Sequence, residues 1–150
     1  MKIDERLIFQ GLEYENSEEV LKFMADELEK YGYVKGSYFG GLMEREEVFP
    51  TGLNFGDYSV AIPHTETEHV LNSTLAIATL KNKVKFKCAE DHEKDTEVSV
   101  VCMIAFGEKE DKMDVLTKII DFFGNKDEVK EMMDLESDKM KKLVKSRLEN

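Results

Sequence analysis

The chain has 150 residues, of which 41% are hydrophobic and 35% are charged, and its formal net charge at pH 7 is −11. A chain of this length is expected to form one domain with a core that needs no disulfide or metal to hold it. The acidic excess excludes nucleic acid as an expected partner, because basic residues that neutralise phosphates dominate that kind of binding.

The sequence also points to a reducing compartment. No apolar run approaches the roughly 20 residues of a membrane span, and residues 1–6 are too acidic for a signal peptide. Cys88 and Cys102 lie in strand-like segments without the spacing of a metal or redox motif. We therefore expect reduced thiols in a cytoplasmic protein that does not insert directly into a membrane.

The first part of the chain is predicted to be mainly helical. Residues 1–15 form a short strand or arm, and a first helix is predicted over 17–31, where apolar residues recur at helical spacing. A second helix is predicted over 37–48. It contains Gly40 and Gly41, each of which disfavours a helix by about 1 kcal/mol relative to alanine.

The middle of the chain is predicted to form strands, at 58–62, 74–80, 83–87 and 97–106. The last of these is almost continuously apolar, which is typical of a central strand buried on both faces. Helical spacing then returns, with helices predicted at 112–123, 127–134 and 138–148. Helices, then strands, then helices predict an α/β sandwich around a mixed sheet.

The segment with the most chemical information runs from Arg45 to His64. It reads Arg45-Glu46-Glu47-Val48-Phe49-Pro50-Thr51-Gly52 and, after a spacer, Val60-Ala61-Ile62-Pro63-His64. Pro63 lacks a backbone donor and fixes its own φ, so the strand should end there and present His64 just beyond it. Strand ends are places where a rigid scaffold holds reactive groups.

A histidine in this position suits reversible phosphoryl transfer. Neutral imidazole has one nitrogen with a free lone pair and one N–H that a neighbour can hold, and its ordinary pKa near 6.5 leaves much of it neutral in cells. The phosphoryl group adds about −1.5 to −2 charge, which a cation must offset. Arg45 is the expected cation. A surface or hydrogen-bonding role for the histidine is the alternative.

The motif resembles the IIA components of the phosphoenolpyruvate-dependent sugar phosphotransferase system (PTS), in the fructose–mannitol branch. The Arg-Glu-x-x-Phe-Pro-Thr-Gly form is most similar to galactitol-type members, and the resemblance extends in element order over roughly residues 5–148. It implies a single IIA domain over residues 1–150 and a sandwich with a mixed, roughly five-stranded sheet flanked by helices. It also implies an enzyme component that forms a phosphohistidine.

Carried over by position, the resemblance makes His64 the phosphoryl acceptor and donor, and Arg45 the residue that stabilises the phosphate. Thr51 and Lys112 are candidate supporting residues. Lys112 stands where many members have a second histidine, which galactitol-type members also tend to lack. The implied partners are the histidine phosphocarrier protein HPr as donor, a IIB component whose cysteine accepts the group, and indirectly the membrane component IIC.

The other histidines and the nearby carboxylates are weaker candidates. The spacing of His64 and His69 does not fit the i, i+4 pair of a helical metal site, and His92 lies in an acidic turn. Glu66 and Glu68 would lie on the same strand face as His64 if the strand continued, but they are interpreted as solvated loop carboxylates. We expect neither a metal nor another cofactor. Two alternatives to sugar transport stay open: a regulatory module controlled by phosphorylation of His64, and a binding domain without phosphoryl chemistry.

Overall fold

The computed structural model describes residues 1–149 and contains a mixed five-stranded sheet with helices on both faces. The strands are β1 (Ile8–Leu12), β2 (Gly52–Asn54), β3 (Ser59–Ala61), β4 (Thr74–Lys87) and β5 (Asp95–Ala105). The helices are α1 (Ser17–Lys30), α2 (Tyr38–Val48), α3 (Lys112–Phe123), α4 (Lys126–Asp134) and α5 (Ser137–Leu148). The predicted α/β sandwich is confirmed.

The strand order places the parallel strands β3 and β5 side by side, so their carboxyl ends lie together. The order is β1-β4-β5-β3-β2, in which β3 runs parallel to β5, and β4 and β5 are antiparallel. β1 runs parallel to β4, and β2 runs antiparallel to β3. In open α/β sheets the carboxyl ends of the strands are where functional groups collect. His64 follows the carboxyl end of β3.

The central strand β5 is buried on both faces, as its apolar run predicts. Val100, Cys102 and Ile104 belong to the core formed with α3, α4 and α5. The alternate residues Val101 and Met103 belong to the core formed with α1 and α2. Successive side chains of a strand point to opposite faces, so one continuous apolar run serves both cores.

The five helices begin and end within one residue of their predicted bounds. Asn16, Asp111 and Asn125 cap three of them by accepting a hydrogen bond from a backbone N–H in the first turn. None of the helices within residues 1–149 is long and apolar enough to cross a membrane.

The strand predictions differ from the structure in two main respects. Segments 74–80 and 83–87 form one strand, β4, whose register with β5 shifts between Thr79 and Val84. The polar residues 81–83 separate the two apolar segments in the sequence, but they lie exposed within the strand and do not form a turn. Strand β2 has no predicted counterpart, because its three residues are ordered by pairing with β3 and have no apolar pattern of their own.

Candidate functional site

His64 lies at the carboxyl edge of the sheet, just beyond β3. The strand ends at Ala61, and the carbonyl of Pro63 accepts a 2.9 Å hydrogen bond from the backbone N–H of Ile104 in β5. His64 itself forms an isolated parallel bridge with Ile104. The central strand therefore holds the backbone of His64, at the strand end where the proline predicts it.

One nitrogen of the His64 ring is engaged by the backbone. Nδ1 lies 2.7 Å from the carbonyl oxygen of Ile62. A carbonyl oxygen only accepts, so Nδ1 carries the proton in this contact, and in the neutral ring Nε2 has the free lone pair. The ring of Phe106 contacts His64 edge to face, with 5.5 Å between centroids, and constrains the plane of the imidazole.

The surroundings of His64 favour its neutral form. Burial lowers the pKa of His64 from its ordinary value of 6.5. The Ile62 carbonyl raises the pKa, the positive charges of Arg45 and Lys112 lower it, and the Glu66 carboxylate raises it, with a net lowering. The ring is therefore predominantly unprotonated, and so nucleophilic, at neutral pH.

Arg45, in the last turn of α2, is close enough to His64 for its charge to act on the ring. Its Nη1 lies 2.9 Å from Oε1 of Glu66, and its guanidinium carbon lies 4.8 Å from the centroid of the Phe49 ring. Nε of Arg45 is buried and has no hydrogen-bond acceptor among residues 1–149. The guanidinium therefore has an N–H donor, at Nε, for which residues 1–149 provide no acceptor.

Lys112 supplies a second positive charge near the ring. Its Nζ lies 5.8 Å from the centroid of Phe106, the same ring that contacts His64. Lys112 begins α3 directly after the capping residue Asp111. A cation in the first turn interacts unfavourably with the helix dipole, and an anion close to Lys112 would offset that cost.

Thr51 is buried and contacts Glu46, the residue that follows Arg45 in α2. Its hydroxyl and its backbone N–H both donate to the carboxyl group of Glu46, whose pKa is raised by burial. The carbonyl of Thr51 accepts a 3.2 Å hydrogen bond from the backbone N–H of Ile62. Contacts thus run from α2 through Thr51 and Ile62 to Nδ1 of His64. Thr51 therefore links α2 to the backbone that precedes His64. Its supporting role in the chemistry stays a prediction.

One of the remaining histidines, His69, lines the same cavity as Arg45 and Glu66. Nδ1 of His69 lies 2.8 Å from the hydroxyl of Ser37, and His92 is exposed in a turn. Cys88 and Cys102 are buried, free thiols. Within residues 1–149 no group of three or more His, Cys, Asp or Glu side chains is placed to hold a metal ion. That the protein needs no metal stays a prediction.

The sequence reasoning assigns no role in the site to two residues of this arrangement, Glu66 and Phe106. The interpretation of Glu66 as a solvated carboxylate is incomplete, because the side chain pairs with Arg45. The available signal is its position two residues after His64, which in extended chain places both side chains on one side. Phe106 carries no signal, since it follows the apolar run of β5 and resembles any core residue.

Comparison with known proteins gives the same picture in sequence. The model of the family "Phosphoenolpyruvate-dependent sugar phosphotransferase system, EIIA 2" matches residues 1–146. The galactitol-specific EIIA component of Escherichia coli K12 is 34% identical over 95 residues, which cover 63% of this chain and 61% of that relative. The mannitol-specific EIICBA component of Pasteurella multocida is 28% identical over 131 residues, which cover 85% of this chain and 20% of that relative.

The fold is shared with a solved structure. Enzyme IIA mannitol of Escherichia coli, in a complex with phosphorylated enzyme IIB mannitol, superposes with a TM-score of 0.79 at 24% identity, over 97% of this chain and 99% of that chain. The aligned segment spans less than two-thirds of the galactitol-specific relative, but the family model spans nearly all of this chain. The chain therefore belongs to the EIIA 2 family of the phosphoenolpyruvate-dependent sugar phosphotransferase system.

Proposed function

We propose that the chain is a phosphocarrier that accepts a phosphoryl group on Nε2 of His64 and passes it to a partner protein. The observation that carries the proposal is the 2.7 Å contact between Nδ1 of His64 and the Ile62 carbonyl, which leaves Nε2 as the free nucleophile. The lowered pKa of the ring adds to this. Neutral imidazole attacks through its lone pair, so no separate base is needed.

In this proposal HPr is the donor, a cysteine of a IIB component is the acceptor, and the membrane component IIC is served indirectly. Family membership supports the relay, and so does the IIA mannitol neighbour, which was solved with its phosphorylated IIB partner. The free thiols of Cys88 and Cys102 suit a cytoplasmic location. The proposal also treats residues 1–150 as one IIA domain.

In the accepting step, the lone pair of Nε2 forms the N–P bond while the bond between phosphorus and the donor nitrogen breaks. The electron pair of that bond returns to the donor ring, and the Nδ1 proton stays on His64 beside the Ile62 carbonyl. Arg45 presents a planar fork of donors that matches phosphate oxygens, and Lys112 adds a point charge. In the onward step the N–P bond breaks, phosphorus bonds to the cysteine thiolate, and the electron pair returns to Nε2.

A regulatory module is the alternative function, with the same histidine and a different output. Two of the relatives found at the sequence level are named as galactitol-specific and mannitol-specific PTS components, which favours transport. Genes for IIB and IIC partners beside that for this chain would support transport. Binding of an unrelated protein that depends on phosphorylation of His64 would support regulation.

Phosphorylation by a reconstituted relay tests the proposal. The chain is incubated with phosphoenolpyruvate, the first enzyme of the relay and HPr, and its intact mass is measured. One added phosphoryl group is expected on the wild type, His69→Ala and His92→Ala, and none on His64→Ala. The adduct should be labile in acid, as a P–N bond is. A phosphorylated His64→Ala protein, or an unmodified wild type beside an active relay, would contradict the proposal.

A further inference from the structure

We propose that Glu66 is a positioning residue, which holds Arg45 while His64 is unphosphorylated and yields it to the phosphoryl group on arrival. The inference rests on the proposed phosphocarrier function. Its consequence is that the phosphohistidine is held less tightly than Arg45 alone would hold it, which favours onward transfer.

The ion pair between Arg45 and Glu66 is of a kind that a phosphoryl group can displace. It consists of one contact of 2.9 Å between Nη1 and Oε1, and the two side chains are 34% and 56% exposed. Exposed pairs of this type contribute little to stability. A phosphoryl group brings about −1.5 to −2 charge and three acceptor oxygens, against one negative charge on Glu66.

The guanidinium of Arg45 is also incompletely satisfied in its pair with Glu66. Its Nε is buried without an acceptor among the described residues, although arginine binds oxyanions best through two parallel N–H groups. A phosphoryl group on His64 offers several oxygens to this fork. The arrangement therefore leaves Arg45 with more to gain from a phosphoryl group than from Glu66.

Glu66 is placed so that its side chain alone needs to move. It follows the buried Thr65, and its carbonyl accepts a 3.2 Å hydrogen bond from the backbone N–H of His69. Both flanks of Glu66 are thus held by the fold. The charge of its carboxylate reaches His64 and opposes that of Arg45 at the ring. In this proposal Arg45 pairs with the Glu66 carboxylate before phosphorylation and with the phosphoryl group on His64 after it.

The pair Glu66→Gln and Glu68→Gln provides a matched test. Both changes remove one negative charge, from positions two residues apart. The side chain of Glu68 is 76% exposed, and its Oε1 lies 3.8 Å from Nε2 of His69. Each variant is mixed with an equal concentration of phosphorylated HPr, and the partition of the phosphoryl group is read by intact mass. We expect Glu66→Gln to shift the partition toward the chain about two- to fivefold, the range of a weak exposed pair, and to slow transfer to IIB. We expect Glu68→Gln to behave as the wild type.

A second measurement separates this role from a structural one. NMR titration of the unphosphorylated chain should show a lower pKa for His64 in Glu66→Gln than in Glu68→Gln, because the carboxylate that raises this pKa is gone. In an Arg45→Ala background, the effect of Glu66→Gln on the partition should disappear. If the effect persists in full there, Glu66 acts by direct repulsion and the proposal is overturned.

The same experiment distinguishes failure of this inference from failure of the proposed function. Equal partition in the two glutamate variants, with a wild type that accepts phosphate normally, would overturn the role of Glu66 only. A wild type that accepts no phosphate from an active relay would overturn the phosphocarrier function, and with it the role of Glu66.

Discussion

Arg45 and Lys112 both bring positive charge to His64, but their side chains differ in how they are held. The guanidinium of Arg45 contacts Glu66 and the ring of Phe49, whereas Lys112 is an exposed point charge whose Nζ lies 5.8 Å from the centroid of Phe106. A preorganised donor stabilises developing charge better than a mobile one. The two cations should therefore contribute unequally to phosphoryl transfer.

We expect Arg45→Lys to slow phosphoryl transfer about tenfold or more, equivalent to ~1.4 kcal/mol of lost transition-state stabilisation. Lysine keeps the charge but not the planar fork. Lys112→Ala should slow transfer less. Single-turnover rates with phosphorylated HPr measure both, and thermal unfolding confirms that each variant is folded. A wild-type rate in Arg45→Lys beside a reduced rate in Lys112→Ala would reverse the assignment of the main phosphate-binding cation.

The lowered pKa of His64 predicts how phosphoryl acceptance depends on pH. A protonated ring has no free lone pair, so acceptance is lost as the pH falls through the pKa of the ring. Burial and the two cations move that pKa below 6.5, so acceptance should persist to lower pH than an ordinary histidine would allow. NMR titration of the ring gives the midpoint directly. A midpoint above 6.5 would contradict the described electrostatics.

Lys112 offers a second test in the same titration, with Lys109 as its control. Its charge lowers the pKa of His64, so Lys112→Ala should raise the midpoint. Lys109→Ala removes an exposed charge from the preceding loop and is expected to have a smaller effect.

At the scale of elements, two adjacent glycines of α2 have different surroundings. A Cβ added at Gly40 would meet no atom within 4 Å, whereas one at Gly41 would lie 2.9 Å from the His69 ring and from Oγ1 of Thr65. The helix can approach the segment after His64 only because Gly41 has no side chain. The low helix propensity of this pair is thus offset, at Gly41, by packing that places Arg45 close to His64.

We expect opposite effects of alanine at these two positions. Gly40→Ala should raise the free energy of unfolding by about 0.5–1 kcal/mol, because it adds helix propensity in open space. Gly41→Ala should lower it by about 1–3 kcal/mol through overpacking, and should also slow phosphoryl transfer by displacing Arg45. Urea denaturation measures the stabilities. Equal stabilisation by both alanines would show that α2 does not depend on this close approach.

At the scale of the whole molecule, the chain has a net charge of −11, although its candidate site contains two cations. Long-range attraction between this acidic molecule and a basic surface on its donor would raise the rate of encounter. Steering acts before the phosphoryl group moves, so salt should affect association and leave the chemical step nearly unchanged.

We therefore expect the second-order rate of transfer from HPr to fall as the salt concentration is raised from about 0.01 M to 1 M, over which the Debye length shrinks about tenfold. The single-turnover rate at saturating HPr should change much less. Quenched-flow measurements at several ionic strengths and HPr concentrations separate the two rates. A second-order rate that does not change with salt would contradict electrostatic steering.

Much of the architecture can be predicted from local sequence patterns. Helical spacing defines the helices to within one residue, because each amphipathic stripe must face a core. The apolar run of β5 indicates burial on both faces, and Pro63 predicts the strand end that presents His64. The motif from Arg45 to His64 adds the family, which the match over residues 1–146 confirms. These features depend on the order and period of neighbouring residues.

Other features exist only once the chain has folded. Strand β2 depends on pairing with β3, and the continuity of β4 depends on β5 along both of its halves. The pairing of Arg45 with Glu66, the contact of Phe106 with His64 and the engagement of Nδ1 by the Ile62 carbonyl come from packing geometry. Arg45 and Phe106 lie far from His64 in the sequence, and only the strand order and the packing of α2 against the sheet bring them near its ring. Which ring nitrogen keeps its lone pair depends on the orientation of the ring, which the contact of Nδ1 with the Ile62 carbonyl fixes.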